Sequence, residues 1–542
     1  MKRVLLAFTA CAVGWASGCS SGGGSSTVVT PPASGFNNAS LKGTYVFSLS
    51  GTTDDPNNVN GVDEFARVGI FNADGLGDIA TTGGLEDVHK FGQDNPNSIT
   101  GGSYNINSDG RGSLCIETSG GIVQYSISLV ASGNGYMADL GEVSGCSSGA
   151  TITDSETASG SFTLQTATTL ATGTYVFDFS GIATDDTGNA TSIVGDIIPS
   201  SGTGSGSFSA GSFEDLNEGG NIVPKSPISG GSFATDSSNP GTGRGFATIG
   251  GVDYVYYVID SQHVQFMGVD PDGAAPGTLA GEAVAQQIGV PNQTSSFTSG
   301  SFVFVMGGSD SSGSPFTRGG RFTANGGSVA SILLDENDAG SPVSVPKSGV
   351  LSGGTITLDG DNSGRGTLTF TDTVNNTGTY SFVFYLSSAT QGVIQDVTTV
   401  LVNNTATAVD VMDGTLLAQT GAPFTSSGLA TAYSFDWSGS DPFEEDFVGS
   451  FAPANTSPNG LVDYNEFSAG KLFFGVAFNG VLTIGSDGTG STGQHSAFVA
   501  GITGSPAVTI NYFAYIANPS TILIMGTDKT RVIAGVLTAQ TP

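Results

Sequence analysis

Basic residues are scarce: the 542-residue chain carries 15 Lys and Arg against 47 Asp and Glu, with only 3 His. A surface of that sign repels nucleic acid and anionic head groups, so a nucleic-acid partner is excluded, whereas cations and basic partners are favoured. The three histidines, His89, His263 and His495, fall at unrelated places, and their spacing assembles neither a catalytic triad nor a zinc site. The acidic run Glu444-Glu445-Asp446 has no counterpart elsewhere and reads as a solvated loop rather than a glycosidase carboxylate pair. Beyond the N-terminus no segment reaches ~18 consecutive apolar residues, so no later helix is long enough to span a bilayer. Charged residues make up only 11 % of the chain while Gly numbers 83, a composition shared by turn-rich β proteins and disordered ones.

Aromatic alternation decides between those two. Gly43-Thr-Tyr-Val-Phe-Ser-Leu-Ser-Gly51 returns as Gly173 to Gly181, as Gly300-Ser-Phe-Val-Phe304 and as Thr431 to Gly439, at spacings of 130, 127 and 131 residues. Large side chains occupy every second position (Tyr45/Phe47/Leu49, Tyr175/Phe177/Phe179, Phe302/Phe304/Met306, Tyr433/Phe435/Trp437), the period of a strand with one buried face. Each copy continues through the same events: a hairpin such as Asn72-Ala-Asp-Gly75, a Gly-Gly element that opens another strand, a second hairpin at Gly-Arg-Gly, two more apolar strands, and a last strand ending in Gln165, Gln286, Gln419 or Gln540. Arg111, Arg244 and Arg365 of the second hairpin are expected to lie over neighbouring strands or to pair with carboxylates. The reading is all-β: four tandem antiparallel domains of about eight strands each, with an up-and-down barrel favoured over a two-sheet sandwich because sequential hairpins dominate. The plan is similar to that of lipocalins and avidins, whose signature residues are not present. Domain limits are set at 40–166, 167–290, 291–421 and 422–542.

One acidic element repeats. Asp87-Val-His89 is followed by Asp215-Leu-Asn217-Glu218, Asp335-Glu-Asn337-Asp338 and Asp463-Tyr-Asn465-Glu466. Oxygen-only side chains at short spacing suit Ca²⁺, a hard cation wanting six to eight oxygens. The competing reading is an Asx turn ending the third strand, which needs no metal and tolerates His89 and Lys90 in the first copy. Calcium is therefore the one cofactor the sequence raises.

Met1-Lys-Arg3, an apolar stretch from Val4 to Val13 and Ala16-Ser-Gly-Cys19 form an export signal over residues 1–18. Its end resembles the lipobox of bacterial lipoproteins, with Ala16 where Leu is usual. That resemblance implies lipidation of Cys19, an outer-membrane or cell-surface address, and a membrane contact through the lipid alone. Residues 19–39, with Ser-Ser-Gly-Gly-Gly and Pro31-Pro32, read as a flexible tether. Of 4 cysteines, Cys11 leaves with the signal and Cys19 takes lipid; Cys115 and Cys146, both in the first repeat, are read as a disulfide, the alternative being two buried thiols. Residues 40–542 resemble the Gly-rich repeats of secreted proteins of environmental bacteria, a likeness that implies no activity. The expectation is a non-enzymatic envelope or surface protein, a modular spacer or adhesin meeting an envelope glycan or protein. The alternative is a small-molecule or glycan binder that uses a barrel interior.

Overall fold

The computed structural model describes residues 35–542, except 55–61, 92, 148–149, 155, 184–188, 203, 270–276, 288–299, 339–346, 352, 362, 373–377, 403–404, 409, 442–443, 454–458, 467–470, 486–495 and 503–507. Each repeat forms one antiparallel up-and-down barrel. Barrel 1 runs through Lys42–Asp54, Val62–Asp74, Gly84–Lys90, Gln93–Ile106, Arg111–Thr118, Ile122–Ala131, Asn134–Val143 and Glu156–Leu164, and closes where Tyr45 to Thr53 pair with Leu164 to Glu156. Barrel 4, from Tyr433–Ser440 to Val532–Ala539, is a closed circuit of the same kind. Barrel 3 starts at Gly300–Ser309, ends at Val411–Gln419, and has its fourth strand in two pieces, Lys347–Leu351 pairing with the third strand and Gly354–Leu358 with the fifth, the second piece meeting the third strand only at Ser328 and Thr355. In barrel 2, from Tyr175–Ile182 to Leu279–Ala285, the ladder is interrupted between Asn221–Pro227 and Ser232–Thr235 and the sheet is open there.

The fourth strand is one bent strand in barrels 1 and 4 and is split in two at the corresponding place in barrels 2 and 3. Its first half pairs with the third strand and its second half with the fifth, as in Gln93–Ile106, which leaves Lys90 to Gly84 and joins Glu117 to Gly112. In barrel 1 the Gly-Gly element therefore sits at a bend inside a strand, whereas Gly230-Gly231 and Gly353-Gly354 stand where the strands Ser232–Thr235 and Gly354–Leu358 open. Gly101 and Gly102 have φ of 158° and 139°, and a Cβ on Gly102 would lie 2.2 Å from the Cys115 carbonyl oxygen. Only glycine lets the chain turn that sharply against its partner strand.

The alternating aromatics face inward and fill each barrel, with Phe435 stacked on Trp437 at 4.0 Å between ring centres. One glycine makes this filling feasible. Phe47, Phe177, Phe304 and Phe435 of the first strands stand opposite Gly69, Gly195, Gly320 and Gly449 of the second. A Cβ at those glycines would come within 2.8, 2.6, 2.7 and 2.4 Å of the opposing ring. Each ring thus covers bare backbone, the pairing by which an aromatic side chain compensates a strand glycine. The disulfide Cys115–Cys146 ties the fifth strand of barrel 1 to the loop after its seventh.

Gly449→Ala is expected to destabilise barrel 4 by about 1–3 kcal/mol through overpacking against Phe435. Urea unfolding followed through Trp437 fluorescence should show a lower midpoint, while Gly145→Ala, with nothing within 4 Å of the added Cβ, should leave it unchanged.

Candidate functional site

The recurring acidic element lies within the third strands, at Gly84–Lys90, Phe213–Glu218, Ser328–Asp338 and Gly460–Glu466, rather than in a turn. Asp and Asn, two residues apart, share one face of the sheet. In each case that face meets the next barrel. Asp87 receives Arg244 Nε and Nη2 of barrel 2 at 2.8 and 2.5 Å and the Tyr257 hydroxyl at 2.6 Å. Asp215 receives Arg365 at 2.7 Å on each oxygen and Tyr385 at 2.6 Å from barrel 3. Asp335 receives Tyr515 of barrel 4 at 2.6 Å. Asp463 receives Arg111 Nη1 of barrel 1 at 3.3 Å, together with the Gly475 backbone N–H. The series returns to its start, so the four barrels close into a ring.

The asparagines complete the clamp. Asn217 donates to the carbonyls of Asp396 and Asp410, Asn337 to those of Gly526, Asp528 and Arg531, and Asn465 to those of Asp139 and Glu156. Each terminal glutamine does the same from the end of its repeat: Gln165 to Thr242 and Val258, Gln286 to Ser363 and Leu386, Gln419 to Ile516, Gln540 to Asp109 and Leu129. In this way a hydrogen-bonding group on one barrel satisfies backbone oxygens of its neighbour that would otherwise be buried without a donor.

Seams differ in what surrounds the clamp. Val46, Val68 and Ile70 pack on Val255, Tyr257 and Met267 between barrels 1 and 2. Val176 and Val194 pack on Val383 and Tyr385 between barrels 2 and 3, and Val303 and Val305 on Tyr515, Leu523 and Met525 between barrels 3 and 4. The fourth seam is polar: Ser434 Oγ donates to the Ser128 carbonyl, Ser128 Oγ to the Gly449 carbonyl, and Thr157 Oγ1 to Asp446 at 2.7 Å.

This geometry accounts for most of the residues singled out in the sequence. Asp215 accepts from Arg365, Tyr385 and the Lys225 N–H, which directs its oxygens to protein donors rather than to an ion. Among the described residues no group of three or more His, Cys, Asp or Glu is arranged around a metal position. Glu218 and Asp338 close their strands, and the Glu466 side chain, Cys19 and His495 lie outside the described residues. His89, in the Asn position of barrel 1, bonds Asp94 at 2.6 Å, and His263 bonds Asp260 at 3.1 Å, each with its own carboxylate. The Glu444-Glu445-Asp446 run is not a solvated loop: it begins the strand Glu444–Phe451, and Asp446 is buried against Thr157 of barrel 1.

Sequence reasoning missed the inward arginines. Arg67 lies inside barrel 1 among Glu86, Glu156 and Asp139, and Arg318 inside barrel 3 among Glu336, Asp396 and Asp410. Burial first, then the Glu156 charge, push the Asp139 carboxyl up to about 8. A signal was present, because both arginines precede the ring-facing glycine by two residues and so share its inward direction.

Where the four barrels meet there is a cavity of about 600 Å³. Thr52 and Glu64 line it from barrel 1, Ser180 and Thr191 from barrel 2, Thr317 and Asp413 from barrel 3, and Ser438 and Glu444 from barrel 4. Glu64 is open to this space, but the protein around it raises its carboxyl to about 7, with the Asp63 charge adding to the burial. Asp413 is likewise pushed up to about 7 by burial, against hydrogen bonds from Ser192 and Ser180. A second hollow, about 730 Å³ and mainly apolar, lies between barrels 1 and 2, with Pro96, Phe246, Val269 and Arg244 in its wall.

The sequence matches no protein-family model and no curated protein sequence. Among solved structures it is similar to kievitone hydratase from Nectria haematococca, at 8 % identity over 47 % of this chain and 95 % of that one, with a TM-score of 0.21. It is also similar to transferrin binding protein B from Haemophilus parasuis (11 % identity, 75 % of this chain, 83 % of that one, TM-score 0.18) and from Neisseria meningitidis (7 %, 75 %, 84 %, 0.19). At these scores the likenesses carry no statement about activity.

Two outcomes test the clamp. Arg365→Met strands the buried Asp215 carboxylate and is expected to cost about 3–5 kcal/mol, most of which Asp215→Asn in the same chain should recover; urea unfolding of the singles and the double measures both. Asp335 has Tyr515 as its barrel 4 donor, and burial raises its carboxyl to about 7. A folded-state pKa above the unfolded value stabilises fully below the unfolded pKa, near 4, and the contribution is lost as pH rises through about 7. The unfolding midpoint should therefore fall between pH 5 and 8, with a shallower slope in Asp335→Asn.

Proposed function

We propose that this chain is an exported lipoprotein, held to the outer membrane or cell surface through Cys19, and that its barrels form a non-enzymatic adhesion module for an envelope glycan or protein. The observation that carries this reading is the ring: filled barrel interiors and four interlocked seams make a rigid block suited to presenting an outer surface. An extended array of barrels is replaced by a closed one, so reach comes from the 19–39 tether and not from stacked domains. The spacer role shrinks accordingly, and the adhesin role remains. The outer faces of four related domains, presented together, supply repeated weak contacts that add up.

A second reading, a small-molecule or glycan binder, is favoured by the hollow between barrels 1 and 2. There Phe246 is 44 % exposed, and the Arg244 guanidinium stacks over its ring at 4.6 Å. An exposed aromatic beside polar groups is the composition of a ligand cleft. In this form the ligand sits between barrels rather than inside one.

Replacing Cys19 by Ser should move the protein from the membrane fraction to the soluble one and abolish incorporation of labelled palmitate. Membrane retention without label would remove the lipid anchor from the account. Phe246→Ala tests the second reading by loss of retention on immobilised envelope glycan, with the fold checked by circular dichroism.

A further inference from the structure

We infer that the cavity at the junction of the four barrels is a binding site for a linear organic polycation of the polyamine class. Charge is the first argument. Glu64, Glu444 and Asp413 enter the cavity from three barrels, and none of its described lining residues is Lys, Arg or His. The nearest cations by sequence are already committed, Arg318 to Glu336 and Asp410 and Arg531 to Glu445 and Asp441. Beyond the walls stand further acids: Asp178 faces Asp413 closely enough for their charges to interact, as does Asp446 with Glu444. An ammonium group placed among these carboxyls would take over from the protons that burial otherwise favours on them.

The second argument is an unanswered donor and acceptor. Thr317 lines the cavity at 3 % exposure, and its Oγ1 has no hydrogen-bond partner among the described residues. A buried hydroxyl left without a partner costs free energy that a bound polar group recovers. Shape is the third. A smaller hollow of about 210 Å³ shares Thr52, Glu64, Ser180, Ser438 and Glu444 with the main one, so the space continues past the carboxyls. Apolar lining is supplied beside the acids by Ile182, Pro315, Phe316, Val411 and Val532. Ammonium groups joined by methylene runs suit a wall that carries both. A single metal ion does not, because the lining carboxylates come from separate barrels and no three of the described acids converge on one point.

Such a ligand would bridge the seams from the inside, coupling Glu64 and Glu444 on one side to Asp413 on the other, so binding should also raise the melting temperature. The test is calorimetry of the Cys19→Ser chain with spermine, spermidine, putrescine and Mg²⁺ at fixed ionic strength. Saturable binding of one spermine per chain is expected, in the order spermine, spermidine, putrescine, with Mg²⁺ weaker than all three. Glu64→Gln with Glu444→Gln should weaken spermine by about tenfold or more, as should Asp413→Asn alone, while Asp78→Asn on the exposed surface should not. Each variant is first shown to melt cooperatively, and the neutral isosteres keep the shape of groups that burial already holds towards neutrality. Absence of saturable binding to the folded chain, or binding equal for Mg²⁺ and spermine and indifferent to the cavity variants, would overturn the assignment. Neither result bears on the lipid anchor, whose test is membrane fractionation.

Discussion

A carboxylate removed from water by one barrel and satisfied by the next is the interaction on which the whole assembly rests. Asp87 and Asp215 are buried, and each is met by a two-pronged guanidinium and a tyrosine hydroxyl from a different domain. Alone, either barrel would carry its half of that arrangement into solvent or leave it unpaired in an apolar seam. The cost of a stranded buried charge exceeds the gain from the pair, so the clamp acts chiefly by penalising separation and wrong registers. Apolar packing around it provides attraction, and the charged pair provides orientation.

The clamp is not copied uniformly round the ring, and its variations are compensated locally. Between barrels 3 and 4 Tyr515 donates to Asp335, and burial shifts that carboxyl towards its neutral form. Between barrels 4 and 1 the arginine acts without a tyrosine, Ser128 standing where Tyr257, Tyr385 and Tyr515 stand in the other barrels. The small side chain there makes room for a backbone-to-hydroxyl seam through Ser434 and Gly449. Val46, Val176 and Val303 are the outward residues of the other first strands, and Ser434 replaces them in the fourth. The seam between the first and last barrels is therefore the most polar of the four.

Much of a single barrel was legible in the sequence, because strand period, hairpin glycines and repeat spacing are local properties. The all-β class, the strand count and the choice of barrel over sandwich follow from them. The role of Asp215 and Asn217 was not legible at that range, since their partners lie one repeat downstream, at Arg365, Tyr385, Asp396 and Asp410. A short oxygen-rich motif looks the same whether it holds an ion, a turn or another domain. The cavity lay further out of sight, as it is made of residues from all four repeats and belongs to none of them.

The tail after the last strand lies on barrel 1, where the Thr541 N–H donates to the Val130 carbonyl at 2.8 Å and Gln540 takes the place that a linker glutamine occupies at the other seams. Three junctions are covalent and one is not, yet a terminal glutamine bridges each of them. In an open stack of repeats, losing or gaining a unit merely shortens or lengthens the structure. A ring counts its members: one barrel fewer or more would leave the last acidic face unable to find the first arginine, so duplication within this chain is constrained by closure rather than by length.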